Sequence, residues 1–332
     1  MQWTDSGVVQ RHPQNPILSK KDVPFQADLV FNAGITKYHE KYYMIFRNDY
    51  LISGSPEEEK FKFNTNIGIA DSEDGVHWTV RNNTLTFNLD REANDIVRFY
   101  DPRITVIDDE LYFCFAVDTR HGVRGGIGKI VGDFESVDVL SMSVPDNRNM
   151  VLFPEKINGL YWRLERPFPV YSRGGKDRFD TWISTSPDLR YWGDSKLLQA
   201  VEEVPFSNDK IGPGAPPVKT KDGWLVLTHS VERDDTIGKN GWEKKWLKRY
   251  YIGIMLLDLE DPTKVLAASK TPLMVPTAPY ETDGGFRNDV LFPGGAILEE
   301  DNTLKIYYGA ADAVECLATA KVEDLVRFCK EG

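Results

Sequence analysis

The chain has 332 residues, 41% hydrophobic and 27% charged, the balance of a soluble globular protein rather than a disordered or fibrous one. Forty Lys and Arg against fifty-one Asp and Glu give a net charge of −11, which excludes a general polyanion-binding surface and leaves room only for a local basic pocket. Cys114, Cys316 and Cys329 show no CxxC spacing, so neither a disulfide framework nor structural zinc is expected. The first residues, MQWTDSGVVQR, carry no leader pattern. The longest apolar run, around Ile252–Leu257, falls far short of the ~20 residues of a membrane span. A cytoplasmic protein without nucleic-acid or membrane partners is expected.

In chain order, five segments share one pattern, a polar turn followed by an aromatic or β-branched run. They are Tyr38–Phe46, Ile107–Phe115, Lys156–Leu164, Lys219–Leu227 and Glu299–Tyr308. Each reads as a hairpin between antiparallel strands, with Gly, Asn or Asp in the turn of four of them. Ser72–Trp78 (SEDGVHW) and Ser186–Trp192 (SPDLRYW) repeat a second mark, a turn that can fold on its Asp side chain while the Trp packs between sheets. Asp90–Arg98 and Trp242–Lys248 are expected to form short helical decorations. Five irregularly spaced units predict an all-β, five-bladed β-propeller occupying residues 1–332 as one domain.

In a propeller the innermost strand of each blade starts at the central channel. The starts here are Phe31–Thr36, Tyr100–Thr105, Met150–Glu155, Gly212–Pro217 and Leu291–Ala296, and all contain Gly or Pro, as tight turning around a narrow pore requires. Asp101 precedes Pro102, which limits where its carboxylate can point. Polar residues end several strands: Arg47, Asn48 and Asp49, then Asp118, His229 and Asp312. Arg148, Arg163, Arg166 and Lys210 cluster in the third unit and its exit. They read either as separate surface ion pairs or as an anion pocket, since guanidinium forks and ammonium groups match phosphate oxygens. Gly122–Lys129 (GVRGGIGK) has the wrong spacing for a P-loop, and neither HExxH nor GxSxG is present. The five histidines are dispersed, and no metal site is expected.

With these residues in view, the sequence resembles glycoside hydrolase family 130, the β-mannoside phosphorylases. The resemblance runs through FNAGITKYHEKYYMIFRNDY, GIADSEDGVHW, YDPRIT, NMVLFPEKINGLYWRLERP, KIGPGAPP, IGIMLLDLEDP, FPGGAI and YYGAAD, nearly the whole chain. It implies a five-bladed β-propeller and inverting phosphorolysis, in which inorganic phosphate attacks the anomeric carbon of a terminal β-mannose and α-D-mannose 1-phosphate leaves. Asp101 then matches the general acid, its proton passing through the mannose 3-hydroxyl. Arg148, Arg166, Lys210 and Tyr250 match phosphate contacts. Arg47, Asn48, Asp49 and Asp312 match positions holding the mannose, and His229 belongs to the site without an assigned role. Phosphate is a co-substrate, with no cofactor. A hydrolase of inverting type needs two carboxylates about 6.5–9.5 Å apart, whereas an anionic nucleophile needs no base and is better served by cations.

The length points to β-1,4-mannooligosaccharides or mannosyl-N-acetylglucosamine ahead of 4-O-β-D-mannosyl-D-glucose. A β-mannosidase using water and a non-catalytic sugar-binding propeller are the competing readings. Relatives form dimers or hexamers, and the two Trp residues of Asp234–Lys248 fit an interface or a cover over the acceptor sugar.

Overall fold

A computed structural model describes residues 3–52, 63–168, 178–236 and 247–332. Among them lies a short first strand, β1 (Gln10–Arg11), and then five sheets, the blades of a five-bladed β-propeller. Blade 1 is β2 (Leu29–Tyr38), β3 (Lys41–Leu51), β4 (Phe63–Ser72) and β5 (Thr79–Thr84) in that order. A short β6 (Thr86–Asn88) crosses to the outer edge of blade 2, where it pairs in parallel with the last of β7 (Ile96–Ile107), β8 (Glu110–Thr119), β9 (Gly122–Val131) and β10 (Ser136–Met142). Blade 3 is β11 (Asn147–Leu152), β12 (Tyr161–Pro167), β13 (Thr181–Ser186) and β14 (Gly193–Gln199). In blade 4 the innermost strand is split into β15 (Lys210–Pro213) and β16 (Val218–Thr220), followed by β17 (Gly223–Arg233), β18 (Lys248–Leu257) and β19 (Val265–Ala268). Blade 5 holds β20 (Leu291–Leu298), β21 (Thr303–Ala310) and β22 (Val314–Lys321), and β1 adds its outer strand.

All five expected hairpins join the first and second strands of a blade. His39 and Glu40, Asp108 and Asp109, and Asn158 and Gly159 have positive φ as adjacent pairs, the turn whose twist matches that of the flanking strands. Second strands read as near-continuous apolar runs because neighbouring blades cover both faces; Gly223–Val231 of β17 is buried throughout. The two SxDxxxW marks fold on their Asp side chains as expected. Asp74 Oδ1 accepts from the amides of Val76 and His77, and Asp188 Oδ1 from those of Arg190 and Tyr191.

One helical expectation changes and a second falls largely outside the described residues. Asp90–Arg98 is a run of turns leading into β7, because Asp90 Oδ1 takes the amides of Glu92 and Ala93. Of Trp242–Lys248, residues 242–246 lie outside the described residues, and Lys248 begins β18. A helix not foreseen, α2 (Val322–Glu331), follows β22 and buries Leu325, Val326 and Cys329 against the apolar side of blades 4 and 5; α1 (Pro279–Thr282) is a single turn.

The innermost strands converge as the Gly- and Pro-rich starts require. A Cβ on Gly294 would stand 1.9 Å from the carbonyl oxygen of Ala33 in blade 1, and one on Gly34 would stand 2.8 Å from Arg103 Cα in blade 2. Backbone of one blade thus occupies the space a side chain of the next would need. In blades 1, 2, 3 and 5 the ladder breaks at the same place, skipping Asn32–Ala33, Asp101–Pro102, Asn149–Met150 and Gly294. These bulges turn the extra residue out of the ladder and re-aim its side chain.

Candidate active site

Asp101 is the skipped residue of blade 2, with φ of 51°. Its carboxylate accepts from Asn32 Nδ2 at 3.1 Å, the matching bulge residue of blade 1, and from Arg47 Nη1 at 3.3 Å. Burial works against ionisation here, but Arg47, Arg103, Arg148 and the Asn32 amide outweigh it and hold the carboxyl below its ordinary value.

Arg47 and Asp49 leave β3 on one face, two residues apart. Arg47 grips Asp49 with two nitrogens, at 3.0 and 2.5 Å, and lies over the rings of Phe31 and Tyr100. Asp49 also accepts from Thr65 at 2.7 Å. Asn48 falls on the opposite face, donating to the Gln26 carbonyl and to Asn66. The structure therefore brings Arg47 and Asp49 to Asp101 and sets Asn48 apart from them. Asp312, at φ of 48° after β21, accepts from Arg287 at 3.2 Å. Its burial, opposed by Arg287 and Arg47, leaves the carboxyl above its ordinary value.

Arg148 and Arg166 are directly paired across β11 and β12. Arg166 is 1% exposed, and its Nη1 stands 3.0 Å from His229 Nε2. His229 Nδ1 is 3.2 Å from the Pro213 carbonyl, which can only accept, so Nδ1 carries the hydrogen and Nε2 receives Arg166 as a lone pair. Burial and the nearby Arg166 push the imidazole well below its usual range, consistent with that neutral form. Stacking on Phe292, with centroids 4.5 Å apart, fixes the ring plane, and Tyr250 lies parallel at 6.2 Å.

Arg166 Nε and Nη2 and Arg148 Nε are buried and meet no hydrogen-bond partner among the described residues. Neither arginine, nor Lys210, comes within ion-pairing distance of a carboxylate among those residues. Burial and the neighbouring Arg148 lower Arg166 to about 9. Burial, then Arg166 and Lys248, lower Lys210 to about 6. Asp209, the acid whose charge acts on Arg166 and Lys210, is engaged by Lys248 at 2.7 Å. Repelling donors held together in this way are chemically suited to a small anion. Arg148 Nη1, 3.5 Å from the Tyr100 hydroxyl, links this group to the Asp101 strand.

Arg163, grouped with these cations by sequence, is separated from them by strand alternation. It pairs with Glu165 at 2.9 Å and lies over Trp192. Sequence reasoning missed Asn32 and Asn149, although FNAG, YDPR and RNMV align at the bulge; Asn149 Oδ1 is also buried and meets no hydrogen-bond partner among the described residues. It missed Arg287, Phe292 and Arg103 as well. Gly122–Lys129 is part of β9, a ladder strand rather than a phosphate loop. The 237–246 part of the Asp234–Lys248 segment lies outside the described residues. Among the described residues no group of His, Cys, Asp and Glu could hold a metal, and no helix is long and apolar enough to cross a membrane.

A family profile described as beta-1,4-mannooligosaccharide phosphorylase matches residues 8–331. The chain belongs to glycoside hydrolase family 130. Among its relatives are a beta-1,2-mannobiose phosphorylase of Listeria innocua, 33% identical across 85% of this chain and 74% of that protein. Another is a beta-1,4-mannooligosaccharide phosphorylase of Ruminococcus albus, 30% identical across 97% and 91%. The solved Listeria innocua beta-1,2-mannobiose phosphorylase in complex with beta-1,2-mannobiose superposes with a TM-score of 0.79 at 28% identity, covering 97% of this chain and 99% of that one. Family 130 membership makes this chain a mannoside phosphorylase, a glycosyl-transfer enzyme on a five-bladed propeller.

Proposed function

We propose that this enzyme carries out inverting phosphorolysis of terminal β-1,4-linked mannosides, releasing α-D-mannose 1-phosphate and a shortened sugar, with inorganic phosphate as co-substrate and no cofactor. The observation that carries the reading is the trio of a buried Arg166 and half-buried Arg148 and Lys210, without carboxylate partners within ion-pairing distance among the described residues, beside a single acid-bearing bulge at Asp101. Phosphate bound to the trio attacks the anomeric carbon. The bond from that carbon to the glycosidic oxygen breaks, and the proton of Asp101 reaches the leaving oxygen through the mannose 3-hydroxyl. Phosphate is already anionic, so no second carboxylate is needed to deprotonate it.

The charges suit this order of events. Arg148 is one of the cations that hold the Asp101 carboxyl down. An anion on Arg148 offsets part of that field, so Asp101 gains affinity for its proton as the nucleophile binds. Arg47, Asp49 and Asp312 offer paired, neutralised hydrogen-bonding groups to the uncharged mannose.

β-1,2-Mannobiose is a second reading, favoured by the 33% identity to the Listeria innocua enzyme. Incubation with β-1,4-mannobiose, β-1,2-mannobiose, mannosylglucose and mannosyl-N-acetylglucosamine, with and without phosphate, tests both. Phosphate-dependent α-mannose 1-phosphate from the β-1,4 substrates is the expected result. Its formation from β-1,2-mannobiose alone selects the second reading, and release of free mannose without phosphate overturns both.

A further inference from the structure

Arg103 lies two residues beyond Asp101 and is 3% exposed. Its guanidinium meets backbone carbonyls and no carboxylate within ion-pairing distance among the described residues. Nε donates to the Gly214 carbonyl of blade 4 at 2.6 Å. Nη1 donates to Asn32 of blade 1 at 3.2 Å and to Pro102 of its own strand at 2.5 Å, and Nη2 to Pro293 of blade 5 at 3.4 Å. One side chain thus ties together the innermost backbones of four blades at the axis. Further along the same strands the axis widens into a cavity of about 260 Å³, lined from all five blades by residues such as Ile35, Val106, Pro154, Pro217 and Leu298. Arg103 immediately precedes Ile104, which lines that cavity, and follows the Asp101–Pro102 bulge of the candidate site.

Two of the four carbonyls belong to the machinery around Asp101. Asn32 is the bulge residue whose side chain donates to the Asp101 carboxylate, and Pro102 is the residue that follows Asp101. We propose, resting on the reading of Asp101 as the acid, that Arg103 is a positioning residue which clamps both bulges from below and supplies a fixed positive charge beneath the Asp101 carboxylate. An arginine is required because its planar fork directs five N–H donors at once, whereas an ammonium presents three from a single point. The groups facing Asp101 are Arg47 from β3, Asn32 from β2, Arg148 from β11, Asp312 from the turn after β21, and its strand neighbours Tyr100 and Arg103. Arg103 itself faces Asp101, Glu315 on β22 and the Cys114 thiol on β8. Arg103 is therefore one of three arginines whose charge reaches Asp101, and its guanidinium lies over the Phe292 ring that stacks on His229.

The test titrates the Asp101 carboxyl directly, by 13C NMR of protein labelled at aspartate carboxyl carbons, with Asp101→Asn identifying the signal. This reading needs no turnover, so it separates failure of the present inference from failure of the proposed reaction. Arg103→Met, checked for folding by thermal melting, is expected to move the midpoint upward by about one pH unit. Arg103→Lys is expected to keep the midpoint near that of the wild type while lowering kcat at least tenfold with the phosphate KM unchanged, because charge is restored and the four-carbonyl grip is not. A folded Arg103→Met with an unmoved Asp101 midpoint overturns the electrostatic half. Wild-type kcat in Arg103→Lys overturns the clamp. Should Arg103→Met fail to fold, the midpoint and kcat of Arg103→Lys decide: a shifted midpoint with unchanged kcat refutes the inference.

Discussion

The two sides of the candidate site handle charge in opposite ways. On the side built by blades 1, 2 and 5, the side chains that face the opening are charge-paired: Arg47 holds Asp49 and Asp101, and Arg287 holds Asp312. On the side built by blades 3 and 4, Arg148, Arg166 and Lys210 crowd together with an uncharged His229 among them. Burial and mutual repulsion lower Arg166 to about 9 and Lys210 to about 6. The first side presents dipoles and locked ion pairs, which suit a neutral polyol. The second stores repulsion that an arriving anion relieves, so it selects for charge. A propeller can keep two such environments within one site because each blade contributes its own strand ends to a common axis.

The comparison can be broken most severely at Asp101. Asp101→Asn should lower kcat by about 10²–10⁴, the range of a lost general acid, while phosphate binding measured by calorimetry persists. Retained turnover would remove Asp101 from the acid role. Arg166→Met comes next: loss of a charge-assisted contact worth about 1.5–3 kcal/mol should raise the phosphate KM roughly 10- to 100-fold and leave the mannoside KM in place. An equal rise in both constants would show that the two sides are not separable.

Lys210 gives a pH test of smaller size. Held near 6, it is charged below that pH and neutral above it in the phosphate-free enzyme. Binding at higher pH must therefore take up a proton, and phosphate affinity should weaken as pH rises from 6 to 8. Lys210→Arg keeps its charge throughout. The ratio of phosphate KM values, wild type to variant, cancels phosphate's own ionisation and should grow by up to about fiftyfold across that interval. A flat ratio would mean that Lys210 stays charged. Smallest is Arg47→Met, expected to raise the mannoside KM several-fold and to move the acid limb of the pH–rate profile upward, since Asp101 loses a compensating cation. A change confined to the phosphate KM would place Arg47 on the other side of the division.

The propeller was legible because hairpin signals are local. A turn of Asn-Gly or Asp-Asp type and the run after it lie within ten residues of one another, and every such unit became the inner hairpin of a blade. The short helical reading of Asp90–Arg98 failed where a side chain competes with the backbone, as Asp90 does for the amides of Glu92 and Ala93. In α2 the signal was a single amphipathic stretch of ten residues, whose apolar side gains meaning only from blades 4 and 5. Within the site, residue types at strand ends named most of the groups that converge, yet could not tell faces apart. Arg47 and Asp49 turn towards Asp101 while Asn48 turns away, and Arg166 turns in while Arg163 turns out. Arg103 was invisible for a deeper reason: its partners are backbone carbonyls, which every residue has, brought together only by ring closure.

The pairing of β1 with β22 has a consequence for how the molecule comes into being. Asn15, just after β1, exchanges two hydrogen bonds with Leu317, 302 positions away, and Arg11 is clasped by the fully buried Glu281. During synthesis, β1 therefore stays without its partner until β22 has been made. Blades 1 to 4 can each assemble from neighbouring stretches as they appear, but blade 5 lacks its outer strand until β1 and β22 meet, and a pairing of such large sequence separation is where a slow folding step belongs.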